Sequence, residues 1–219
     1  MSFLLRVVLP DRPGALGAVA TALGQAGADI AGVDVVERRP DGTAVDDVMV
    51  ELPPGRLPDT LVSACSRIDG VTVEFVGRYT VGTDLHRDLE AVEAMATNPQ
   101  DADEILVDLV PTVFRPGWAL LIELEKGRLQ IRRATPGAPT SDDFRAPWLP
   151  LQRPQLLAAD RSWAPEAWQD CLLAAVPMDR PERALVLGRD GGPHILSSEL
   201  ARLAHLAALA GTVGRTAAG

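Results

Sequence analysis

Residues 1–80 carry two hydrophobic periodicities, one typical of strands and one typical of helices. Apolar residues run together or alternate with polar ones, as in β-strands, at four places: Leu4–Leu9, Ala28–Arg39, Ala44–Leu52 and Val71–Phe75. They recur every three or four residues, as in amphipathic helices, at two places: Leu16–Leu23 and Leu61–Ile68. The pattern therefore predicts the element order βαββαβ.

This order constrains the topology of the first eighty residues. Because strand-helix-strand crossovers are right-handed, both helices should lie on one face of a four-stranded antiparallel sheet, the ferredoxin-like arrangement. We expect the opposite face to be uncovered, which favours a homodimer or packing against the rest of the chain.

The second half of the chain has another pattern, which begins with two helices. Residues 82–100 are predicted to form a connecting helix with one apolar stripe. Asp101 and Glu104 then have the spacing of a capping box, and Pro111 is expected to end or kink the helix that they start.

Strands follow these helices, and a last helix closes the pattern. Four apolar segments read as strands: Trp118–Leu124, Leu129–Arg133, Cys171–Val176 and Ala184–Gly188. Residues 136–154 are proline-rich and irregular, and Ser197 is expected to cap the last helix. The chain is therefore predicted to be an α+β protein with domains at 1–81 and 101–215, joined by the helix at 82–100.

Composition narrows the possible partners. Apolar residues make up 47% of the 219 residues and the net charge is −9. A negative surface argues against nucleic acid or a membrane surface as partner, and we expect neither. The first residues lack the apolar core of a signal peptide and no stretch is long enough to span a membrane, so a cytoplasmic protein is expected.

Two short motifs flank the first predicted helix. Asp11-Arg12-Pro13-Gly14-Ala15-Leu16 follows the first strand, and Gly27-Ala28-Asp29-Ile30 leads into the second. With the βαββαβ order, these motifs resemble the ACT domain family over roughly residues 1–81. The resemblance implies a regulatory domain that binds a small ligand, commonly an amino acid and often at a dimer interface.

The residues of these motifs suit such a ligand. Gly14 allows backbone amides to come close to a carboxylate, and a helix start offers N–H groups and a favourable dipole. Asp29, where many family members carry Asn, can accept a hydrogen bond from an ammonium group. The predicted ligand-binding residues are Asp11, Arg12, Pro13, Gly14, Ala15, Leu16, Asp29 and Ile30.

The region from about Leu85 to Ala210 resembles GAF domains, another sensory fold. The likeness rests on core and capping positions: Asp103–Leu106, Trp118–Leu121, Val176-Pro177, Ala184–Gly188 and Ser197–Leu200. It implies an antiparallel sheet with flanking helices and gives no ligand. No cysteine or histidine is placed for a chromophore or haem, so no cofactor is expected.

Other chemistry-bearing residues have plainer interpretations. The histidines His86, His194 and His205 lie on separate segments, which does not suit a metal site. Ser197 and Ser198 precede a helix without a recognisable histidine-acid relay, and we expect no catalysis. The four tryptophans of the second half are expected to pack in its core. The acidic residues of the hairpin are expected to face solvent: Glu37, Asp46, Asp47 and Glu51.

The sequence thus predicts a homodimeric sensor in which an amino acid binds the first domain and changes its packing against the second. Two alternatives stay open. One is an adaptor whose ACT-like domain has lost its ligand and only dimerises. The other is an enzyme, since ACT-like domains also stand in amino-acid biosynthetic enzymes and before formyltetrahydrofolate hydrolases, although the longer catalytic domain of such hydrolases is not found here.

Overall fold

Two antiparallel sheets, each with its own hydrophobic core, organise the chain. The computed structural model describes residues 1–78, 83–138, 145–158 and 162–218. It divides into two units, Met1–Thr83 and Asp84–Gly219. The predicted fold class, α+β, is confirmed.

The N-terminal unit has the predicted order βαββαβ. Its elements are β1 (Ser2–Pro10), α1 (Ala15–Gln25), β2 (Asp29–Arg38), β3 (Thr43–Glu51), α2 (Asp59–Cys65) and β4 (Thr72–Arg78). The strands lie side by side in the order β2-β3-β1-β4, all neighbours antiparallel. Strand β2 therefore forms one edge of the sheet, and β1 runs parallel to it with β3 in between.

Strict alternation along β1 sorts its residues between the two faces of this sheet. Phe3, Leu5 and Val7 are buried in the core with residues of α1 and α2, such as Val19 and Leu61. The intervening residues face the other way.

The centre of this second face is buried in the structure. Arg6 and Val45 point away from the helices, yet they are 4% and 0% exposed. The Arg6 guanidinium donates two hydrogen bonds of 2.7 Å to the carboxylate of Asp47 on the neighbouring strand. The side chain of Asp47 is 13% exposed, so a buried ion pair occupies a position that the sequence pattern assigns to solvent.

The C-terminal unit is a five-stranded sheet with helices on one face. Its elements are α3 (Thr83–Thr97), α4 (Ala102–Phe114), β5 (Trp118–Glu125), β6 (Arg128–Ala134), β7 (Gln155–Leu157), β8 (Cys171–Pro177), β9 (Arg183–Asp190) and α5 (Ser197–Ala218). The strand order is β6-β5-β9-β8-β7. The sequence predicts four or five strands here, and the fifth, the short edge strand β7, lies outside the four segments predicted above.

Helix α3 contributes to the hydrophobic core of the C-terminal unit. Its Ala91 and Met95 are fully buried in the same core as residues of α4 and α5. The expected boundary between the first domain and this helix, at residues 81 and 82, lies outside the described residues.

Both faces of the central strands of this unit are buried. On β5, Ala119 and Leu121 join the core beneath the helices, whereas Trp118, Leu120 and Ile122 join a second core. The second core also takes up residues of the irregular segment predicted at 136–154, of which 139–144 lie outside the described residues. Burial on both faces explains why these strands read as continuous apolar runs.

The helix ends of this unit differ from the predictions: neither Asp101 nor Ser197 caps its helix, and Pro111 does not end α4. Helix α4 continues through Pro111 to Phe114, because Val113 and Phe114 are almost fully buried and hold its last turn in place. Asp101 precedes α4 without a side-chain capping bond. At α5, Ser197 is the first helical residue, and Glu199 Oε2 accepts from the Leu196 N–H at 2.8 Å instead.

Candidate functional site

A tight turn joins β1 to α1 and contains most of the predicted site residues. The Asp11 N–H donates to Gly42 O at 2.9 Å, which ties the turn to the β2–β3 hairpin. The Arg12 N–H donates to Pro10 O at 2.8 Å, and the Ala15 N–H donates to Arg12 O at 3.2 Å. Asp11, Arg12, Pro13 and Gly14 are exposed, while Ala15 and Leu16 are half-buried.

Gly14 is the residue that makes this turn possible. Its φ of 89° lies in the left-handed region, which residues with a side chain rarely adopt. A Cβ placed at this position would have no neighbour within 4 Å. The turn at Gly14 is therefore open to solvent rather than blocked by side chains.

The first turn of α1 leaves backbone donors free. Gly14 occupies the cap position and no side chain caps the helix. The Ala18 N–H donates to Gly14 O at 3.0 Å, but the N–H groups of Leu16 and Gly17 have no acceptor among the described residues. The first turn also lacks an acidic residue, so nothing in the helix offsets its positive end.

The carboxylate of Asp46, predicted to face solvent, is buried on the face of the sheet that α1 and α2 cover. Asp46 is 2% exposed and pairs in register with Val7 on β1 and Val35 on β2, on the face that the helices cover. Among the described residues no donor reaches its Oδ1. The signal was present in the sequence, because Asp46 shares the even spacing of the core residues Val48 and Val50.

The charges around Asp46 are unbalanced. Burial raises the pKa of the Asp46 carboxyl, and the carboxylates of Asp11 and Asp47 raise this pKa further. Arg38 lowers the pKa, but its side chain is 73% exposed and lies 3.7 Å (Nε to Oδ2) from Asp11. Negative charge thus predominates around Asp46, and the Asp11 carboxylate of the turn contributes to it.

The other two predicted residues lie at the opposite end of the same sheet. Asp29 pairs with Glu51, which in turn pairs with Ser2 at the start of β1. The turn at Asp11 follows Pro10 at the other end of β1, roughly 27 Å away at about 3.4 Å per residue. Within one copy of the chain, Asp29 and Ile30 are therefore not brought together with Asp11–Leu16.

A separate groove of about 730 Å³ lies between α1 and α2. Small and polar side chains line it, among them Ala18, Thr21, Ser63 and Arg67. None of the eight predicted site residues contributes to it. The groove is therefore distinct from the turn.

The region that contains this sheet, the turn and the start of α1 matches a known protein family. Residues 3–63 match the family model of the ACT domain. This region is an ACT domain. The match includes all eight predicted site residues and extends into α2, which confirms the resemblance inferred from the two motifs.

Solved structures similar to this chain share little sequence with it. The fRMsr of Staphylococcus aureus in its reduced form is 11% identical, with a TM-score of 0.50 over 62% of this chain and 99% of that chain. The GAF domain of an Acinetobacter phosphoenolpyruvate-protein phosphotransferase is 14% identical, with a TM-score of 0.49 over 64% of this chain and 96% of that chain. At such identities the likeness shows the fold alone.

GAF domains thus stand among the similar structures, as the resemblance of the C-terminal region predicts. ACT and GAF domains are typically regulatory domains that bind small ligands.

A search among curated proteins found no match to this sequence. Within the described residues, no helix combines the length and the apolar character needed to cross a membrane.

Proposed function

We propose that this chain is a non-catalytic regulatory protein whose ACT domain binds an amino acid at the start of α1. The observation that carries the proposal is the open, uncapped helix start next to Gly14, where two N–H groups have no acceptor among the described residues. Such a helix start attracts a carboxylate through both its donors and its dipole. Every amino acid supplies that carboxylate.

A second copy of the chain would complete this site. Strand β2 is an edge of the sheet, and its Val35 is 55% exposed, which favours pairing with another strand. In antiparallel pairing of two β2 strands, the Asp29 end of one faces the Arg38 end of the other. Arg38 lies beside Asp11, so the second copy would bring its Asp29 and Ile30 to the turn. We therefore propose a homodimer with two such sites.

A thermal-shift screen of the full chain against the twenty common amino acids, each at millimolar concentration, tests the proposal. A ligand that binds only the folded state raises the melting temperature, and the rise grows with the logarithm of the ligand concentration divided by Kd. We expect one amino acid or a few related ones to do so. If none does, the proposal is wrong.

Two substitutions at Gly17 then test the place of binding. Gly17 is exposed, lies in the first turn of α1 and has open space where a Cβ would stand. Gly17→Glu puts a carboxylate beside the free N–H groups and should abolish the response, although the acidic residue itself suits a helix start. Gly17→Gln is the matched control, with the same size and no charge, and should keep the response. Equal responses in the two variants would place the site elsewhere.

The exposed edge of β2 also supports a second candidate, an adaptor that dimerises without a ligand. The two candidates differ in one outcome, since an adaptor forms the same dimer and responds to no amino acid. The open turn at Gly14 favours the sensor, because a site that had lost its ligand has no need to stay clear of side chains. The fRMsr neighbour shares only the fold and does not support an enzyme.

A further inference from the structure

The most unusual group in the ACT domain is the carboxylate of Asp46. Buried polar groups in folded proteins almost always have hydrogen-bond partners, and a buried carboxylate without one is costly. Asp46 is 2% exposed, and no donor among the described residues reaches its Oδ1. Such a group is a candidate to bind a donor or a cation from outside the chain.

Asp46 lies near the end of the sheet at which the proposed ligand site begins. Asp46 lies three residues from Thr43, which pairs with Pro10 at the end of β1 where the turn begins. Its side chain is on the helix-covered face, the same face from which α1 starts. The Asp11 carboxylate of the turn is close enough to act on it electrostatically.

Among the described residues, Arg38 is the one cation whose charge acts favourably on the Asp46 carboxylate. Helix α1 carries no ionisable side chain. Strand β1 carries only Arg6, whose guanidinium lies on the other face and is engaged by Asp47. Arg38, the last residue of β2, is mostly exposed and lies next to Asp11. The described residues therefore offset the negative charge of Asp46 only weakly, which leaves it open to a cationic partner.

The start of α1 and the carboxylate of Asp46 attract groups of opposite charge. The start of α1 attracts a negative group, and Asp46 attracts a positive one. A ligand that satisfies both carries a carboxylate and an ammonium group on one small molecule. We infer that Asp46 recognises the ammonium group of the ligand and restricts the site to zwitterionic amino acids. This inference rests on the proposed function and assigns the selectivity of the same site.

Asp46 and Asp29 are then two candidates for the ammonium contact. Asp29 is exposed, so water screens its charge, whereas Asp46 is buried and its charge is stronger in a less polar surrounding. Asp46 should therefore contribute more to affinity than Asp29 does. The geometry favours Asp46 for this role and leaves Asp29 at the rim.

Calorimetric titration of the full chain with the amino acid that gives the largest thermal shift tests the inference. The variants are Asp46→Asn, Asp29→Asn and, as control, Asp59→Asn, which removes an exposed carboxylate at the start of α2, away from both the turn and β2. We expect Asp46→Asn to weaken the Kd by about tenfold to a hundredfold, the range for a hydrogen bond to a charged group. Asp59→Asn should leave the Kd unchanged, and circular dichroism checks that each variant is folded.

A second measurement needs no variant. The wild-type chain is titrated with the carboxylic acid that lacks only the amino group of the same ligand, and this analogue should bind at least tenfold more weakly.

The outcomes separate the inference from the proposed function. If wild type binds the amino acid and Asp46→Asn binds it equally well, or if the analogue binds as tightly, the inference is overturned and the proposed function stands. A loss in Asp29→Asn alone would also overturn it and assign the ammonium group to Asp29. If wild type binds none of the twenty amino acids, the proposed function falls and the inference falls with it.

Discussion

At the scale of single residues, Asp46 couples the stability of the fold to pH. Burial raises the pKa of its carboxyl above the ordinary value of 3.8, and Asp11 and Asp47 add to this effect. The folded state therefore holds the proton more tightly than the unfolded state does. The stabilisation from this group is complete below the ordinary pKa and is lost as the pH rises through the raised pKa.

Asp46→Asn removes this dependence and yields a clear prediction. As the pH rises from about 4 to about 8, the free energy of unfolding of wild type should fall relative to that of the variant. Urea unfolding of both chains without ligand, at several pH values, measures the difference. A difference that stays constant over this range would show that Asp46 has the same pKa in the folded and unfolded states.

Asp46 also shows what hydrophobic alternation can and cannot reveal. The even spacing of Val48 and Val50 puts Asp46 on the core face, yet an acidic hairpin suggests solvent, and the second interpretation is wrong. The prediction that Asp47 faces solvent is wrong for another reason. Its partner Arg6 is 41 residues away along the chain, so the pair becomes visible only with the strand register.

At the scale of elements, the start of α1 depends on two glycines with different roles. Gly14 needs its positive φ, whereas Gly17 lies inside the helix and has no such requirement. We predict that Gly14→Ala destabilises the chain by about 1–2 kcal/mol through backbone strain. Gly17→Ala should stabilise it by about 0.5–1 kcal/mol through helix propensity. Urea unfolding measures both, and a harmless Gly14→Ala would contradict the described turn.

At other element boundaries, tertiary packing overrides the local sequence signal for a helix end. Pro111 is a strong signal for a helix end, but the burial of Val113 and Phe114 carries α4 three residues further. The strand and helix order of the N-terminal unit was predicted correctly, because each element there has a clear period and a clear turn. Helix ends depend on tertiary contacts that no local pattern contains.

At the scale of the whole molecule, the predicted site is only partly assembled by one copy of the chain. The motifs around Asp11 and Asp29 flank the same helix in sequence, yet the antiparallel register puts them at opposite ends of the sheet. Sequence proximity to α1 could not reveal this separation. A second copy would remove it, and for this reason the proposed sensor requires a dimer.

Strand β2 provides the test of that dimer. Val35→Lys puts a charge on the exposed edge and should turn the dimer into a monomer, since edge lysines oppose strand pairing. Leu57→Lys is the matched control, because Leu57 is 65% exposed and lies outside the sheet. Light scattering after size exclusion measures the mass, and a Val35→Lys variant that stays dimeric would exclude this interface.

The central claim is that an amino acid binds at the start of α1, and backbone amide NMR of the full chain tests it most directly. The amino acid found by the thermal-shift screen is titrated into the labelled protein. The amide signals of Leu16 and Gly17 should shift most, because these N–H groups gain an acceptor. Unchanged Leu16 and Gly17 signals, with shifts confined to the groove around Thr21 and Ser63, would contradict it.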